Sequence, residues 1–152
     1  TGGQLRVLKW FRGRDCSWDF WTCEGAARNG HLQVLRWARE EGCEWNWGTC
    51  SRAAEGGHLE VLQWAQGEGC EWNKSTCRAA AGNGHLEILQ WAREEGCPWD
   101  WSTCWAAAIH GHLEVLKWAI TNGCPCDERY LGNISDPDFH EWFGEYKANN
   151  TN

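Results

Sequence analysis

The chain has 152 residues, a net charge of -7 and a pI near 5.3, a balance that excludes the clustered cationic surface needed to bind nucleic-acid phosphates. No apolar stretch approaches the roughly 18 residues that span a bilayer, so no membrane insertion is expected. Its 10 cysteines and 14 tryptophans recur at regular intervals, and that periodicity is the first thing the chain offers.

Gly-His-Leu returns at Gly30, Gly57, Gly84 and Gly111, 27 residues apart each time, with no insertion between copies. An array of this kind buries its core between neighbouring units, so residues 1 to 126 read as one repeat array. The register is already running at the start: Gly3 aligns with Gly30, Leu5 with Leu32, Val7 with Val34 and Trp10 with Trp37. With no methionine anywhere, the chain is expected to begin inside a repeat of a longer array, with any targeting signal elsewhere. An intracellular, cytoplasmic location is the expectation.

Units starting near residues 22, 49, 76 and 103 each open on a short helix. Thr22, Thr49, Thr76 and Thr103 are hydroxyl residues suited to capping its first turn. Cys50, Ala53, Ala54 and their equivalents face inward, small enough to let neighbouring backbones approach, and the helix ends at a glycine such as Gly57. In the second helix Leu32, Val34, Leu35, Trp37 and Ala38 cover an arc of roughly 220° at about 100° per residue. That is wider than the stripe of a lone surface helix and calls for neighbours on several sides. Gly42 marks its stop, and Pro98 and Pro125 follow two residues after the equivalent glycines. Glu60, Glu87 and Glu114 occupy its first turn, where the helix dipole favours an anion. A tight loop, Cys43-Glu44-Trp45-Asn46-Trp47-Gly48, leads to the next unit. After Cys126 the pattern decays: residues 127 to 147 read as a degenerate C-terminal cap. It has a vestigial first helix up to Gly132, then a helix from Pro137 to near Lys147 with Phe139, Trp142, Phe143 and Tyr146 on one face. Residues 148 to 152 form a polar tail expected to fray.

The run Thr-x-x-x-Ala-Ala-x-Asn-Gly-His-Leu-Glu-Val-Leu resembles the ankyrin repeat over about residues 1 to 126. The ankyrin unit has about 33 residues. Here 27 leave no room for its projecting hairpin, and Thr-Cys stands where its Thr-Pro-Leu-His turn belongs. The unit is similar to the short, Trp- and Cys-rich ankyrin-type repeats of large DNA viruses and some unicellular eukaryotes. The resemblance implies an all-α fold, a short ankyrin-like helix-turn-helix solenoid with a degenerate C-terminal helical cap, and a role in protein binding.

Set in register, the aromatic residues separate into two classes. Trp37, Trp64, Trp91 and Trp118 on the second helix, and Trp18, Trp45, Trp72 and Trp99 in the loop, are invariant and read as core. Phe20, Trp21, Trp47, Trp101 and Trp105 stand where other copies place Gly48, Ser51, Lys74 or Arg78, so packing does not demand them. Exposed tryptophan beside arginine is the composition of an interface hot spot. Together with the first-helix variables Glu24, Arg28, Arg52, Glu55, Arg78, Ile109 and His110, and with Lys74, they make the expected partner-binding surface. The bland alternative is that these rings lie flat on the next loop and only exclude water.

Cys16, Cys43, Cys70, Cys97 and Cys124 follow the glycine stops, and Cys23, Cys50, Cys77 and Cys104 follow the threonines; Cys126 replaces the loop tryptophan. Equivalent cysteines of adjacent units, about 10 Å apart, are too distant for disulfides. Buried reduced thiols are expected, with a bridge seven residues apart, such as Cys43 to Cys50, left open. The spacer of six does not match zinc-site spacing. Cys50 at a helix N-terminus has the setting of a reactive thiol, but repetition in every unit argues against redox chemistry. His31, His58, His85 and His112 read as bonded to backbone across their turns. His140-Glu141-Trp142-Phe143-Gly144 lacks the second histidine of a zinc-protease helix, and the glycosylation triplets at Asn73, Asn133 and Asn149 read as chance matches. No catalysis, cofactor or metal is expected. The leading expectation is a scaffold for a protein partner. The alternatives are a permanent structural or linker subunit of a large assembly, such as a viral particle or membrane-bound complex, and, less favoured, a thiol redox or metal protein.

Overall fold

The computed structural model describes residues 20–132 and 134–150; the partial first repeat, including Gly3, Leu5, Val7, Trp10, Cys16 and Trp18, lies outside them. Among the described residues the chain is entirely helical, a series of antiparallel helix pairs. The pairs are α1 (Phe20–Arg28) with α2 (Leu32–Glu40), α3 (Trp47–Glu55) with α4 (Leu59–Gly67), α5 (Lys74–Gly82) with α6 (Leu86–Glu94), and α7 (Trp101–Ile109) with α8 (Leu113–Thr121). A short α9 (Glu128–Leu131) and a longer α10 (Pro137–Asn150) close the end. None is long and apolar enough to cross a membrane.

The first helices start two residues earlier than the threonines imply. The cap is the loop Asx: the Asn46 and Asn73 side chains accept from the N–H groups of Gly48 and Ser75 at 2.7 and 2.8 Å, and Asp100 accepts from that of Ser102 at 3.0 Å. The threonines therefore fall inside the first turn. Thr49, Thr76 and Thr103 are fully buried, and their hydroxyls find no nitrogen or oxygen partner among the described residues. An Asx side chain in extended backbone competes well for this cap, and threonine serves as a small β-branched core residue instead.

Ala53, Ala54, Ala80 and Ala81 are fully buried, and their size lets α3 pack closely on α1 and α5, and α5 on α7. The second helices approach one another less closely and bury Val61, Leu62 and Ala65 and their equivalents. Each stops at a left-handed glycine, with φ of 82° at Gly42. There the N–H of Cys43 donates to Ala38 O at 2.9 Å and that of Gly42 to Arg39 O at 3.0 Å, closing the helix end.

Beyond the packing of the first helices, the invariant tryptophans and histidines add cross-unit contacts. Trp45 meets Trp64 edge-on at 5.6 Å, Trp72 meets Trp91 at 5.6 Å and Trp99 meets Trp118 at 6.0 Å, each loop ring packing on the second helix of the following unit. Arg39 and Arg93 lie 4.2 Å over the faces of Trp45 and Trp99. These rings are half-buried against the core, not sealed within it. The histidines reach between units instead of across their own turns. A Cβ on Gly30 would lie 2.6 Å from the His58 ring, and His85 Nε2 bonds Glu55 O of the preceding unit at 3.2 Å. The turn glycine thus serves both a positive φ and the seat of the next unit's imidazole.

At the C-terminal end α9 packs on α7 as the first helix of a further unit would. Phe139 of α10 is fully buried, and Tyr146 donates its hydroxyl to Ile120 O at 3.2 Å. The helix continues to Asn150, whose side chain bonds Tyr146 O at 2.8 Å. Residues 148 to 150 are therefore helical, where polarity alone implied a frayed tail.

Candidate functional site

Each first helix divides by register, although Glu24, Gly48 and Gly82 in its variable columns are buried. Its third, fourth, seventh and eighth residues are Thr49, Cys50, Ala53 and Ala54 and their equivalents, which face the core. The first, second, fifth, sixth and ninth residues fall on the opposite face, and these are the columns that vary. Phe20, Trp47, Lys74 and Trp101 share one column; Glu24, Ser51, Arg78 and Trp105 another; Arg28, Glu55, Gly82 and Ile109 a third. Stacking four such helices lays the variable columns side by side as one surface.

That surface holds a groove of about 630 Å³. It brings together Phe20, Trp21, Glu24, Trp47, Arg52, Glu55, Arg78, Trp105 and His110. Phe20, Trp21, Trp47 and Trp101 are 37%, 60%, 48% and 49% exposed. Phe20 and Trp21 sit 4.8 Å apart at one end, and Trp101 packs edge-on against Trp105 at 6.4 Å at the other. Each ring thus keeps a solvent-facing area. Ile109 turns away and lines a second cavity of about 440 Å³ with Trp105, Leu113 and Ile134, beside the cap.

The charges in the groove are mostly paired. Arg28 Nη2 is 2.9 Å from Glu55 Oε1, and Arg52 bonds Glu55 Oε2 at 2.6 Å and reaches Glu24 Oε2 at 3.5 Å. Glu55, and to a lesser degree Glu24, hold the Arg52 guanidinium still more firmly in its charged form. Glu24 is not the exposed recognition residue that register implied. It is 8% exposed, lodged where Gly48 lacks a side chain, since a Cβ on Gly48 would come within 2.2 Å of Glu24 Oε1. There the carboxylate faces the N-terminal turn of α3, which favours an anion. Lys74 pairs with Asp100 Oδ2 at 2.8 Å, and Lys74 with the Ser102 hydroxyl holds the Asp100 carboxyl below its usual range. Arg78 has no ion pair among the described residues, so a cation stands open between the aromatic ends.

The groove's floor holds residues that variability alone did not single out: Asn46, Ser51, Ala79, Gly82, Asn83 and Ala106. Ser51 and Gly82 share columns with Trp105 and Ile109, and that shared register was the available signal. Small residues in a variable column provide depth, as large ones provide contact.

The cysteines pair within a unit, but 20 residues apart instead of seven. Cys23 Sγ lies 3.1 Å from Cys43 Sγ, and Cys50 and Cys77 donate toward the backbone of Cys70 and Cys97. Burial pushes the Cys23 thiol up; hydrogen bonding to Cys70 and Cys97, then burial, does the same for Cys50 and Cys77. The same hydrogen bonds shift their partners Cys70 and Cys97 down. Among the described residues one disulfide is present, Cys104 to Cys126, with 5.9 Å between Cα atoms. It joins residues 22 apart within the last unit, so the bridge of seven residues is replaced by one that the helix pair closes. No protein-family model matches the chain, and a search of curated proteins finds no match either.

Proposed function

We propose that this chain is an ankyrin-type binding module, without catalysis of its own, that takes an extended or helical segment of a protein partner along the face of its first helices. The observation that carries this reading is the coincidence of the variable columns with one aromatic-lined groove. Residues that packing leaves free to change stand together around a hollow of about 630 Å³, and exposed tryptophan with arginine is the composition of interface hot spots. Arg78, without an ion pair among the described residues and lining the groove with Trp47 and Trp105, calls for a carboxylate on the partner, flanked by apolar side chains. Such an open cation favours acidic segments at this point of the groove and disfavours basic ones.

Selection of displayed peptides on the wild-type chain tests this. Enriched ligands should carry an acidic residue beside aromatic or aliphatic ones. Trp47→Ala with Trp105→Ala should weaken them by at least about tenfold, the effect of losing roughly 1.4 kcal/mol, and Arg78→Glu should reverse the charge preference. Gln63→Ala, on the exposed side of a second helix, should leave binding intact. Ligands that ignore the groove variants and respond to Gln63 would overturn the choice of face.

A further inference from the structure

The last unit differs from the others in one respect that the groove does not use. In the three preceding loops the position after the glycine stop is followed, two residues on, by Trp45, Trp72 or Trp99; here it is Cys126. Each earlier unit brings two sulfurs together. The last brings three: Cys104 from the first turn of α7, and Cys124 and Cys126 from the loop after α8, with all three sulfur atoms within 4.8 Å of one another. Cys104 and Cys124 are buried and Cys126 is half-buried, so the cluster has a way in from solvent. The spacer of six that argues against a metal does not govern this trio. A helix pair, not a short sequence motif, assembles it, and Pro125 stiffens the Cys124-Pro125-Cys126 turn that presents two of its members.

We propose that, once the Cys104–Cys126 disulfide is reduced, Cys104, Cys124 and Cys126 hold one thiophilic d10 cation, with Cu(I) the best-matched ion. Sulfur-only ligation selects soft ions. Zinc completes four ligands in structural sites, and among the described residues no histidine, carboxylate or further cysteine joins the three. A three-sulfur set suits an ion content with trigonal coordination. The chemistry balances through a dithiol reductant: it gives two electrons and two protons to the Cys104–Cys126 bond and leaves as its own disulfide. Three S–H protons then pass to solvent as three Cu–S bonds form. Each thiol must lose its proton to bind the cation, so affinity falls as pH falls. The disulfide and the metal-bound form exclude each other, since both use Cys104 and Cys126.

The test is an anaerobic titration of the dithiol-reduced chain, after removal of reductant, against a coloured Cu(I)–chelator complex, with X-ray absorption to count sulfur neighbours. The wild type should withdraw one equivalent with three sulfur neighbours. Cys126→Trp, which installs the residue of the preceding loops, and Cys126→Ser should both lose that equivalent, while Cys43→Ala, which breaks a two-sulfur pair, should keep it. Circular dichroism confirms that each variant folds. A wild type that takes no Cu(I), equal uptake by wild type and Cys126→Trp, loss in Cys43→Ala, or two sulfur neighbours instead of three overturns the proposal.

Discussion

Thr49, Thr76 and Thr103 are the residues for which type and role diverge most. A hydroxyl before an alanine-rich helix reads as a cap, and register makes it invariant, yet the loop Asx holds the cap and the threonines are sealed in the core without a nitrogen or oxygen partner among the described residues. A buried hydroxyl with no hydrogen bond carries a desolvation penalty of about 1–3 kcal/mol. Thr49→Val, which keeps the branched shape and removes the oxygen, is therefore expected to raise stability by about 1 kcal/mol. Thr49→Ser, which keeps the oxygen and removes a methyl, should lower it by about 1 kcal/mol. Urea unfolding of the two variants measures both, and a destabilised Thr49→Val would show that the hydroxyl has a partner after all. Register could not find this, because Asn46 and Thr49 are both good caps by type and only the backbone geometry at Asn46 decides between them.

At the scale of the element, the first helices depend on Asn46, Asn73 and Asp100 for their start. Asn73→Ala is expected to cost about 1 kcal/mol in thermal or chemical unfolding, whereas Asp100→Asn, which copies the other units, should leave the cap in place. The two differ in pH response. Lys74 and Ser102 hold the Asp100 carboxyl below its unfolded value, so its contribution to stability is complete above the unfolded pKa and is lost as pH falls through the folded one. The wild type should lose more stability in acid than Asp100→Asn does, and identical acid titrations would rule this out. Helix existence, order and the glycine stops were readable from spacing, because left-handed glycine and the apolar arc are local signals. Helix starts were not, since Asx and threonine compete for the cap and backbone geometry decides between them; nor was the reach of α10 to Asn150, whose face is held by the Tyr146 contact to Ile120.

Across the whole molecule, coupling between units runs through the packed first helices, the tryptophan pairs and the histidine seats. Trp72 packs on Trp91 of the next unit at 5.6 Å, so Trp72→Ala removes an interface and leaves each helix pair whole. It should cost about 2–4 kcal/mol and make denaturant unfolding shallower, because stability in an array is a sum of unit and nearest-neighbour terms. An unchanged slope would mean that coupling resides elsewhere. The groove belongs to the same scale: no single unit contains it. Its lining runs from Phe20 to His110, over four first helices.

By itself the sequence determined the helical repeat, its period, the division of positions into fixed and variable, and the decay of the pattern after Cys126, because each of these is written in residue spacing along the chain. Tertiary structure alone decided that the variable columns meet around a hollow, that Glu24 belongs to the scaffold, that His58 and His85 reach back to the preceding unit, and that Cys104, Cys124 and Cys126 converge. The physical reason is the same in each case. These depend on which residues face one another across a helix pair or between stacked units, a distance in space that the 27-residue period counts along the chain but does not measure.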